Sequence, residues 1–198
     1  MESVRSFIAV ELPDDVRQEI YRQMEQLRAL AGRLVKWTPA GNLHATMKFL
    51  GPVPLDKIDE LHELLKGAVS GFSPFHLEAH GTGAFPGGKF PRVLWVGLKG
   101  PSYETLSSLR DSIEDACEKA GFERETSAFK AHITLGRVRP EGMKDRRALA
   151  GLTEGLATLQ AHSFGMIEIG KITLMKSVLK PGGPEYSLLK EIYLGRQG

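Results

Sequence analysis

Two copies of the pattern His-x-Thr contain the residues of this sequence that are best suited to chemistry. The first copy holds His44 and Thr46, and the second holds His132 and Thr134. An imidazole has an ordinary pKa of about 6.5, so near neutral pH one histidine can accept a proton while another donates one. A neighbouring threonine hydroxyl can donate a hydrogen bond to an anionic oxygen. The doubled pattern therefore indicates acid–base chemistry on an anionic group, a scheme that requires no metal.

Both copies lie in segments with the alternation of a β-strand, residues 43–50 and 130–138. Successive side chains of a strand point to opposite faces, so each histidine shares a face with its threonine, and the apolar neighbours share the other. A single His-x-Thr is expected by chance about 0.3 times in this chain, which makes two copies in matched strands hard to attribute to coincidence. The alternative is a pair of ordinary sheet histidines beside residues that favour strands.

The segments that must position these residues alternate between short strands and amphipathic helices. Strands are predicted at residues 6–12, 34–37, 43–50, 75–81, 92–98, 130–138, 164–179 and 186–194, the seventh being long or bent. Helices are predicted at residues 14–30, 54–69, 101–120 and 145–159. We therefore predict an α+β fold of two pseudo-symmetric lobes, each a mostly antiparallel sheet backed by helices, with a central cleft that carries both motifs. The chain is expected to be a single domain, residues 1–198, made of two intertwined duplicated lobes at roughly 1–98 and 99–198.

Composition limits the class of protein. With 41% hydrophobic residues and a net charge of +2, the chain is not of the disordered type, and its slightly basic character permits a phosphate-bearing ligand. No apolar run approaches the roughly 18 residues of a membrane span, and the apolar run within residues 1–13 is too short for a signal peptide. The single cysteine, Cys117, cannot form an internal disulfide and is expected to be buried in a helix. We therefore expect a cytoplasmic protein without membrane association.

The doubled motif and its surroundings resemble the 2H phosphoesterase superfamily, especially the RNA 2′,3′-cyclic phosphodiesterases, also called 2′-5′ RNA ligases. The similar segments are FIAVELP (7–13), LHATMKFLG (43–51), PRVLW (91–95) and HITLGR (132–137). The resemblance implies hydrolysis of RNA 2′,3′-cyclic phosphate ends to 2′-phosphate ends, with reversible 2′-5′ ligation as a further activity. It implies His44 as the general acid and His132 as the general base. We expect no metal or other cofactor, an RNA substrate such as a tRNA fragment, and a monomer.

Thr46, Thr134 and Arg137 are the expected substrate-binding residues. Strict alternation sets Arg137 on the face opposite Thr134, but Gly136 permits a bend or bulge, and the family pattern implies a phosphate contact for the arginine. The alternative for Arg137 is a solvated surface charge. By the same alternation Lys48 shares the face of Thr46, where we expect a solvated lysine.

Two other patterns suggest ligands but fit them poorly. Residues 83–89 (GAFPGGK) match most of a Walker A loop, yet Phe90 replaces the required Ser or Thr and a predicted strand follows, which favours a hairpin or lid loop. His76, Glu78 and His80 share a strand face, but the two histidines would lie about 13 Å apart, too far for one ion.

Two further function classes remain open. A phosphodiesterase of this kind could act instead on small cyclic nucleotides or 2′-5′ oligonucleotides, and a non-catalytic RNA-binding module could share the fold. Trp37 and Trp95 could stack on a base of single-stranded RNA, although their strand neighbours favour a place in the core.

Overall fold

The computed structural model describes residues 2–88, 90–181 and 183–195, and within these ranges nine strands form one antiparallel sheet. The strands are β1 (Ser3–Glu11), β2 (Val35–Trp37), β3 (His44–Pro54), β4 (Phe75–Phe85), β5 (Val93–Lys99), β6 (His132–Val138), β7 (Ser163–Ile169), β8 (Lys171–Lys180) and β9 (Gly183–Tyr193). The helices are α1 (Asp14–Ala31), α2 (Ile58–Val69), α3 (Tyr103–Lys119) and α4 (Arg146–Thr158). The predicted α+β class is confirmed.

The strand order places the two motifs at the centre of the sheet. It runs β7-β4-β5-β6-β3-β1-β8-β9, with β2 attached to the edge of β6. Outward from the centre, β6 corresponds to β3, β5 to β1, β4 to β8 and β7 to β9. Each half of the sheet therefore takes strands from both residues 1–98 and residues 99–198, so the midline of the sheet does not fall near residue 98 in the sequence.

A single residue, Gly170, joins β7 to β8 although these strands belong to opposite halves of the sheet. β7 pairs with β4, whereas β8 lies between β1 and β9. Consecutive strands can lie so far apart in strand order only if the sheet curls until its edges approach each other. The prediction of one strand over residues 164–179 is therefore wrong. Apolar residues occur on both sides of Gly170, but the buried positions shift by one residue, from Ile167 and Ile169 to Ile172 and Leu174, and the hydrogen-bonding partners change.

Four helices cover one face of this curled sheet. α1 and α4 pack together against the half that contains β4 and β7, and α2 and α3 pack against the other half. Each helix buries an apolar stripe, such as Ile20, Met24 and Leu27 of α1. Burying one such side chain contributes about 1.5–3 kcal/mol to the hydrophobic driving force. The core therefore lies between helices and sheet, and the opposite face of the sheet is left for the site.

The helices begin close to where the sequence predicted them, with one exception. The segment 54–69 was expected to be helical throughout, but β3 continues to Pro54 and a 3₁₀ turn, Leu55–Lys57, precedes α2. Pairing with the first residues of β1 extends β3 past Gly51 and Pro52, where local turn preference predicted its end. The start of α4 follows the usual capping rule, since the Asp145 side chain accepts a hydrogen bond from the amide of Ala148.

Candidate active site

The two His-x-Thr motifs meet at the centre of the sheet because their middle residues, Ala45 and Ile133, are directly paired. Extending this antiparallel register by one residue sets each histidine opposite the threonine of the other motif. The two imidazoles therefore lie on a diagonal. Ala45 and Ile133 point into the core, whereas the histidines and threonines are half-buried on the other face. The alternation predicted for these four residues is confirmed by their burial.

The imidazole of His44 is held by hydrogen bonds at both nitrogens. Its Nδ1 lies 2.7 Å from the carbonyl oxygen of Asn42, and its Nε2 lies 3.0 Å from Oγ1 of Thr46. A carbonyl oxygen only accepts, so Nδ1 carries the hydrogen, and in the neutral ring Nε2 accepts from the Thr46 hydroxyl. The ring of Phe7 stacks on the imidazole with 4.8 Å between the ring centres, and the ring of Tyr186 meets it edge-on with 5.4 Å between the centres. These contacts fix both the tautomer and the plane of the imidazole.

The imidazole of His132 has a matching arrangement. Its Nδ1 lies 2.6 Å from the carbonyl oxygen of Lys130, two residues earlier, as Asn42 lies two residues before His44. Phe85 of β4 meets the ring edge-on at 5.1 Å. The backbone carbonyl again fixes the hydrogen on Nδ1, so both histidines have Nε2 as the nitrogen left for chemistry.

Burial lowers the pKa of His44 below its ordinary value. The positive charge of His132 lowers it further, and the hydrogen bond to the carbonyl of Asn42 opposes the shift. The neutral imidazole is therefore favoured in the free protein.

Arg137 reaches the cleft through a β-bulge in β6. The register with β5 skips one residue after Thr134, and Leu135 and Gly136 are both buried. At Gly136 an added Cβ would fall 2.7 Å from a methyl carbon of Val35, so the close approach of β2 requires glycine. The bulge reverses the alternation, and Arg137 lines the cleft together with Thr134. The strict-alternation alternative is wrong for this residue.

A matching bulge in β3 buries the amine of Lys48 against α3, although Lys48 still contributes to the lining of the cleft. The register with β1 skips one residue after Thr46, so Lys48 is buried on the helix side. Its Nζ lies 2.6 Å from Oε2 of Glu114 on α3 and 2.7 Å from the carbonyl oxygen of Glu123. The expectation of a solvated lysine is wrong, because the bulge exchanges its face with that of Phe49, which is exposed and lines the cleft.

Two cavities open on either side of the motifs and share Thr46, Phe49, Thr134 and Arg137. The His44 compartment, of about 270 Å³, is also lined by Lys36, Trp37, Thr38, Pro39, Asn42, His44, Gly183, Pro184 and Tyr186. The His132 compartment, of about 510 Å³, is also lined by Met47, Lys48, Phe85, Arg110, Ser127, Ala128, Phe129, Lys130 and His132. None of the described residues that line either compartment is acidic, so the cleft favours an anionic ligand.

The aromatic residues around the two histidines were missed from the sequence. Phe7, Phe85 and Tyr186 come from β1, β4 and β9, far along the chain, and no local pattern marks them. Trp37 and Trp95 are half-buried rather than fully in the core. Trp37 packs against the core and also lines the His44 compartment, while Trp95 lies 5.2 Å from Phe85.

The remaining ligand-like patterns form no second site in the described ranges. His76, Glu78 and His80 belong to no cluster of three or more potential metal ligands among those residues. In the Walker-like segment 83–89, Lys89 lies outside the described residues, and the strand β5 follows where such a loop needs a helix. Cys117 is buried in α3, and burial raises the pKa of its thiol to about 12, so it is not a nucleophile. Among the described helices, none combines the length and apolarity needed to cross a membrane.

Sequence comparisons place relatives of this chain among archaea and bacteria. A protein named RNA 2′,3′-cyclic phosphodiesterase from Methanothermobacter thermautotrophicus is 34% identical over 93% of this chain and 95% of its own length. Another of the same name, from Archaeoglobus fulgidus, is 34% identical over 94% of this chain and 98% of its own.

Solved structures agree with the fold. A crystal structure of TT0787 of Thermus thermophilus covers 98% of this chain and 100% of its own, at 27% identity and a TM-score of 0.74. E. coli LigT complexed with 3′-AMP matches 98% of this chain and 100% of its own, at 25% identity and a TM-score of 0.72. The family match itself covers residues 13–175, which include both His-x-Thr motifs and the bulges that follow them. On these grounds the chain belongs to the 2′-5′ RNA ligase superfamily.

Proposed function

We propose that this chain hydrolyses RNA ends bearing a 2′,3′-cyclic phosphate to 2′-phosphate ends, with His44 as general acid and His132 as general base. The observation that carries the proposal is the meeting of two His-Thr pairs in a cleft without lining carboxylates among the described residues, each ring with its Nδ1 tied to a backbone carbonyl. Membership of the superfamily and the relatives named RNA 2′,3′-cyclic phosphodiesterase support the reaction class.

The reaction needs one proton acceptor and one proton donor on opposite sides of the phosphorus. A water oxygen forms the new bond to phosphorus while Nε2 of His132 takes one of its protons. The bond from phosphorus to the 3′-oxygen breaks, and Nε2 of His44 gives its proton to that oxygen. The product carries a 2′-phosphate and a free 3′-hydroxyl, so one water is consumed and the protons balance.

Thr46, Thr134 and Arg137 are proposed to bind the non-bridging phosphate oxygens. All three line both compartments, so they lie where the two sides of the cleft meet. Hydroxyl and guanidinium donors at this position stabilise the charge that develops on those oxygens. With these donors and two imidazoles the proposed reaction needs no metal.

The acid role of His44 depends on the bound substrate. In the free protein burial lowers the pKa of His44, which taken alone favours the base role. A diester phosphate is anionic, and its charge beside Nε2 raises the pKa of the ring and favours the imidazolium. The assignment to His44 rests on the family resemblance and is tested separately below.

We further propose 2′-5′ joining as the reverse reaction, in which a 5′-hydroxyl RNA takes the place of water. Because all cleft residues come from one chain, a monomer suffices for either direction. A lone buried thiol at Cys117 suits the reducing cytoplasm, where tRNA fragments with cyclic ends would be accessible substrates.

The first experiment incubates the protein and excess EDTA with a short RNA that ends in a 2′,3′-cyclic phosphate, and separates 2′- from 3′-phosphate products. We expect the 2′-phosphate to form without added metal, and a His44→Ala/His132→Ala variant to lose the activity. Either single replacement should lower the rate by about 10²–10⁴. If the protein hydrolyses cyclic mononucleotides but not the RNA, its substrate is a small cyclic nucleotide. No turnover of either, with affinity for RNA unchanged in the double variant, would indicate a binding module.

The acid and base roles can be separated with a cyclic substrate whose 3′-bridging oxygen is replaced by sulfur. A thiolate leaves without needing a proton, since thiol pKa values lie near 8.5. With this substrate, removing the general acid should lower the reaction rate far less, whereas removing the general base should lower it as much as with the oxygen substrate. We expect the sulfur substrate to rescue His44→Ala and not His132→Ala. The opposite pattern would reverse the two roles.

A further inference from the structure

Two cationic side chains lie directly opposite each other on the cleft face of the sheet. Lys36 of β2 is the register partner of Arg137 of β6, and both line the His44 compartment. At directly opposed positions the Cβ atoms are about 4.5–5.5 Å apart. Within the described part of the chain, neither cation has an acidic partner. The compartment therefore contains a pair of neighbouring positive charges that the described residues do not neutralise.

This pairing is unfavourable in the free protein. Like charges directly opposite each other on antiparallel strands destabilise the pair. A bound phosphate between them would turn the repulsion into two charge-assisted hydrogen bonds. Along β6, Thr134 precedes the bulge and Arg137 follows it. Because β2 pairs with β6 only after the bulge, Lys36 lies beside Arg137 and not beside Thr134. The scissile phosphate beside the threonines therefore leaves Lys36 without an anion of its own.

The proposed reaction determines which part of the substrate faces Lys36. The attacking water lies on the His132 side, so the leaving 3′-oxygen and its ribose lie on the His44 side. The terminal nucleoside therefore occupies the His44 compartment, which contains Lys36. In RNA this nucleoside carries the cyclic phosphate on its 2′- and 3′-oxygens and a phosphodiester on its 5′-oxygen.

We infer that Lys36, together with Arg137, binds the phosphate attached to the 5′-oxygen of the terminal nucleotide. The inference rests on the proposed function and deepens it, because it makes Lys36 a specificity-determining residue. Arg137 lies between the two phosphates, whereas Lys36 contacts the 5′-phosphate alone. The site then favours RNA 3′ ends over nucleoside 2′,3′-cyclic monophosphates, which lack that phosphate.

The kinetic test compares a nucleoside 2′,3′-cyclic monophosphate with the same nucleotide carrying a 5′-phosphate. The variant Lys36→Met keeps most of the side-chain length and removes the charge, and Lys119→Met at the exposed end of α3 is the matched control. Lys36→Met should raise KM for the 5′-phosphorylated substrate by about tenfold, the loss of one charge-assisted contact, with kcat unchanged. Lys36→Met should raise KM for the cyclic monophosphate much less than for the 5′-phosphorylated substrate, Lys119→Met should change neither KM, and Lys36→Arg should keep the preference.

Two kinetic results would overturn the inference. In one, wild-type protein uses both substrates with equal kcat/KM. In the other, Lys36→Met changes KM for both substrates to the same extent. A structural role for Lys36 is checked by thermal unfolding without ligand. Removing one of two like charges should leave Tm equal or higher, whereas a lysine needed for folding would lower it.

A binding measurement separates failure of this inference from failure of the proposed function. Calorimetry compares a nucleoside 2′,5′-bisphosphate with the corresponding 2′-monophosphate, and neither needs turnover. Wild-type protein should bind the bisphosphate about tenfold more tightly, and Lys36→Met should abolish that difference. If the protein turns over neither cyclic substrate yet shows this binding difference, the proposed reaction fails and the phosphate site stands. If the two ligands bind equally to wild-type protein, the phosphate site is contradicted.

Discussion

At the scale of single residues, the position of one hydrogen on each imidazole decides what the site can do. The carbonyls of Asn42 and Lys130 accept from Nδ1 of His44 and His132, and each lies two residues before its histidine. A backbone acceptor cannot change its protonation, so both rings keep the same tautomer across the pH range in which they work. In the proposed reaction this leaves the two Nε2 atoms for proton transfer.

The partly buried His44 should make the folded protein less stable at acidic pH. Its folded-state pKa is lowered, so below the ordinary value of about 6.5 the unfolded chain binds a proton that the folded protein resists. This contribution is complete above that pH and is lost as the pH falls toward the folded-state pKa. Urea unfolding at pH 7.5 and pH 5 should show a smaller loss of free energy for His44→Gln than for wild-type protein. An equal loss of unfolding free energy in the two proteins would contradict the lowered pKa of His44.

At the scale of elements, two bulges decide which side chains face the cleft. Each follows a His-x-Thr motif, and each turns the residue five positions after the histidine toward the cleft, Phe49 in β3 and Arg137 in β6. The pseudo-symmetric strands therefore supply an aromatic ring from one side and a guanidinium from the other. The same bulge thus occurs in both strands, but it presents a different type of side chain in each.

The bulge in β6 depends on Gly136. A Cβ there would lie 2.7 Å from Val35 and 2.9 Å from the carbonyl oxygen of Lys36, so Gly136→Ala must displace β2. We expect a loss of about 1–3 kcal/mol in the free energy of unfolding, as for other overpacked sites. Because Lys36 and Arg137 move with these strands, KM should also rise. Gly151→Ala on α4, where no atom lies within 4 Å of the new methyl, serves as the control. An unchanged unfolding midpoint for Gly136→Ala would contradict the close packing.

The buried ion pair that joins β3 to α3 should be important for stability. Lys48→Met leaves Glu114 with Arg110, whose guanidinium lies 3.1 Å away. Because this partner remains, we expect the free energy of unfolding to fall by about 3 kcal/mol, the lower end of the range for breaking a buried ion pair. Denaturant unfolding measures it, and Lys48→Met/Glu114→Gln should be less destabilised than Lys48→Met. A single variant as stable as wild-type protein would show that the pair contributes little.

These elements also show how far the sequence alone could lead. The motifs, their shared faces and the α+β class follow from period-two alternation, which is a local property. Alternation fails to predict the face of Lys48 because a bulge depends on the register with the partner strand. For the bulge in β6 the sequence offers one hint, the glycine at position 136. Alternation also fails at Gly170 because apolar residues continue on both sides of a single glycine, and only the change of partner strands separates β7 from β8. Tyr186 could not be predicted beside His44, since only the completed sheet brings β9 there.

At the scale of the whole molecule, charge is distributed unevenly although the net charge is only +2. The lining of the cleft includes Lys36, Arg110, Lys130 and Arg137, and none of the described residues there is acidic. A cleft with one sign of charge attracts anionic ligands more strongly than the net charge suggests. The cleft can therefore attract an anionic group although the molecule as a whole carries little net charge.

Salt should consequently weaken binding of RNA more than binding of a mononucleotide. Each phosphate that the protein neutralises releases bound counterions from the nucleic acid, and surface attraction is screened within about 8 Å at physiological ionic strength. Raising NaCl from about 50 to about 500 mM should increase KM for a cyclic-ended RNA several times more than KM for a cyclic mononucleotide. Unfolding curves at both salt concentrations control for stability. Equal salt dependence for the two substrates would show that only one phosphate is bound.

The one-residue connection at Gly170 has a consequence for the order in which the molecule can assemble during synthesis. The strands of the half that holds His132, β4 to β7, have all emerged once the ribosome has released residue 169. The half that holds His44 still lacks β8 and β9 at that moment, although β1 and β3 were made first. Domains generally fold as their chains emerge, at about 5–20 residues per second. The strand β3, which carries His44, is therefore made long before β9, and the cleft of a nascent chain lacks part of its lining until β9 is in place.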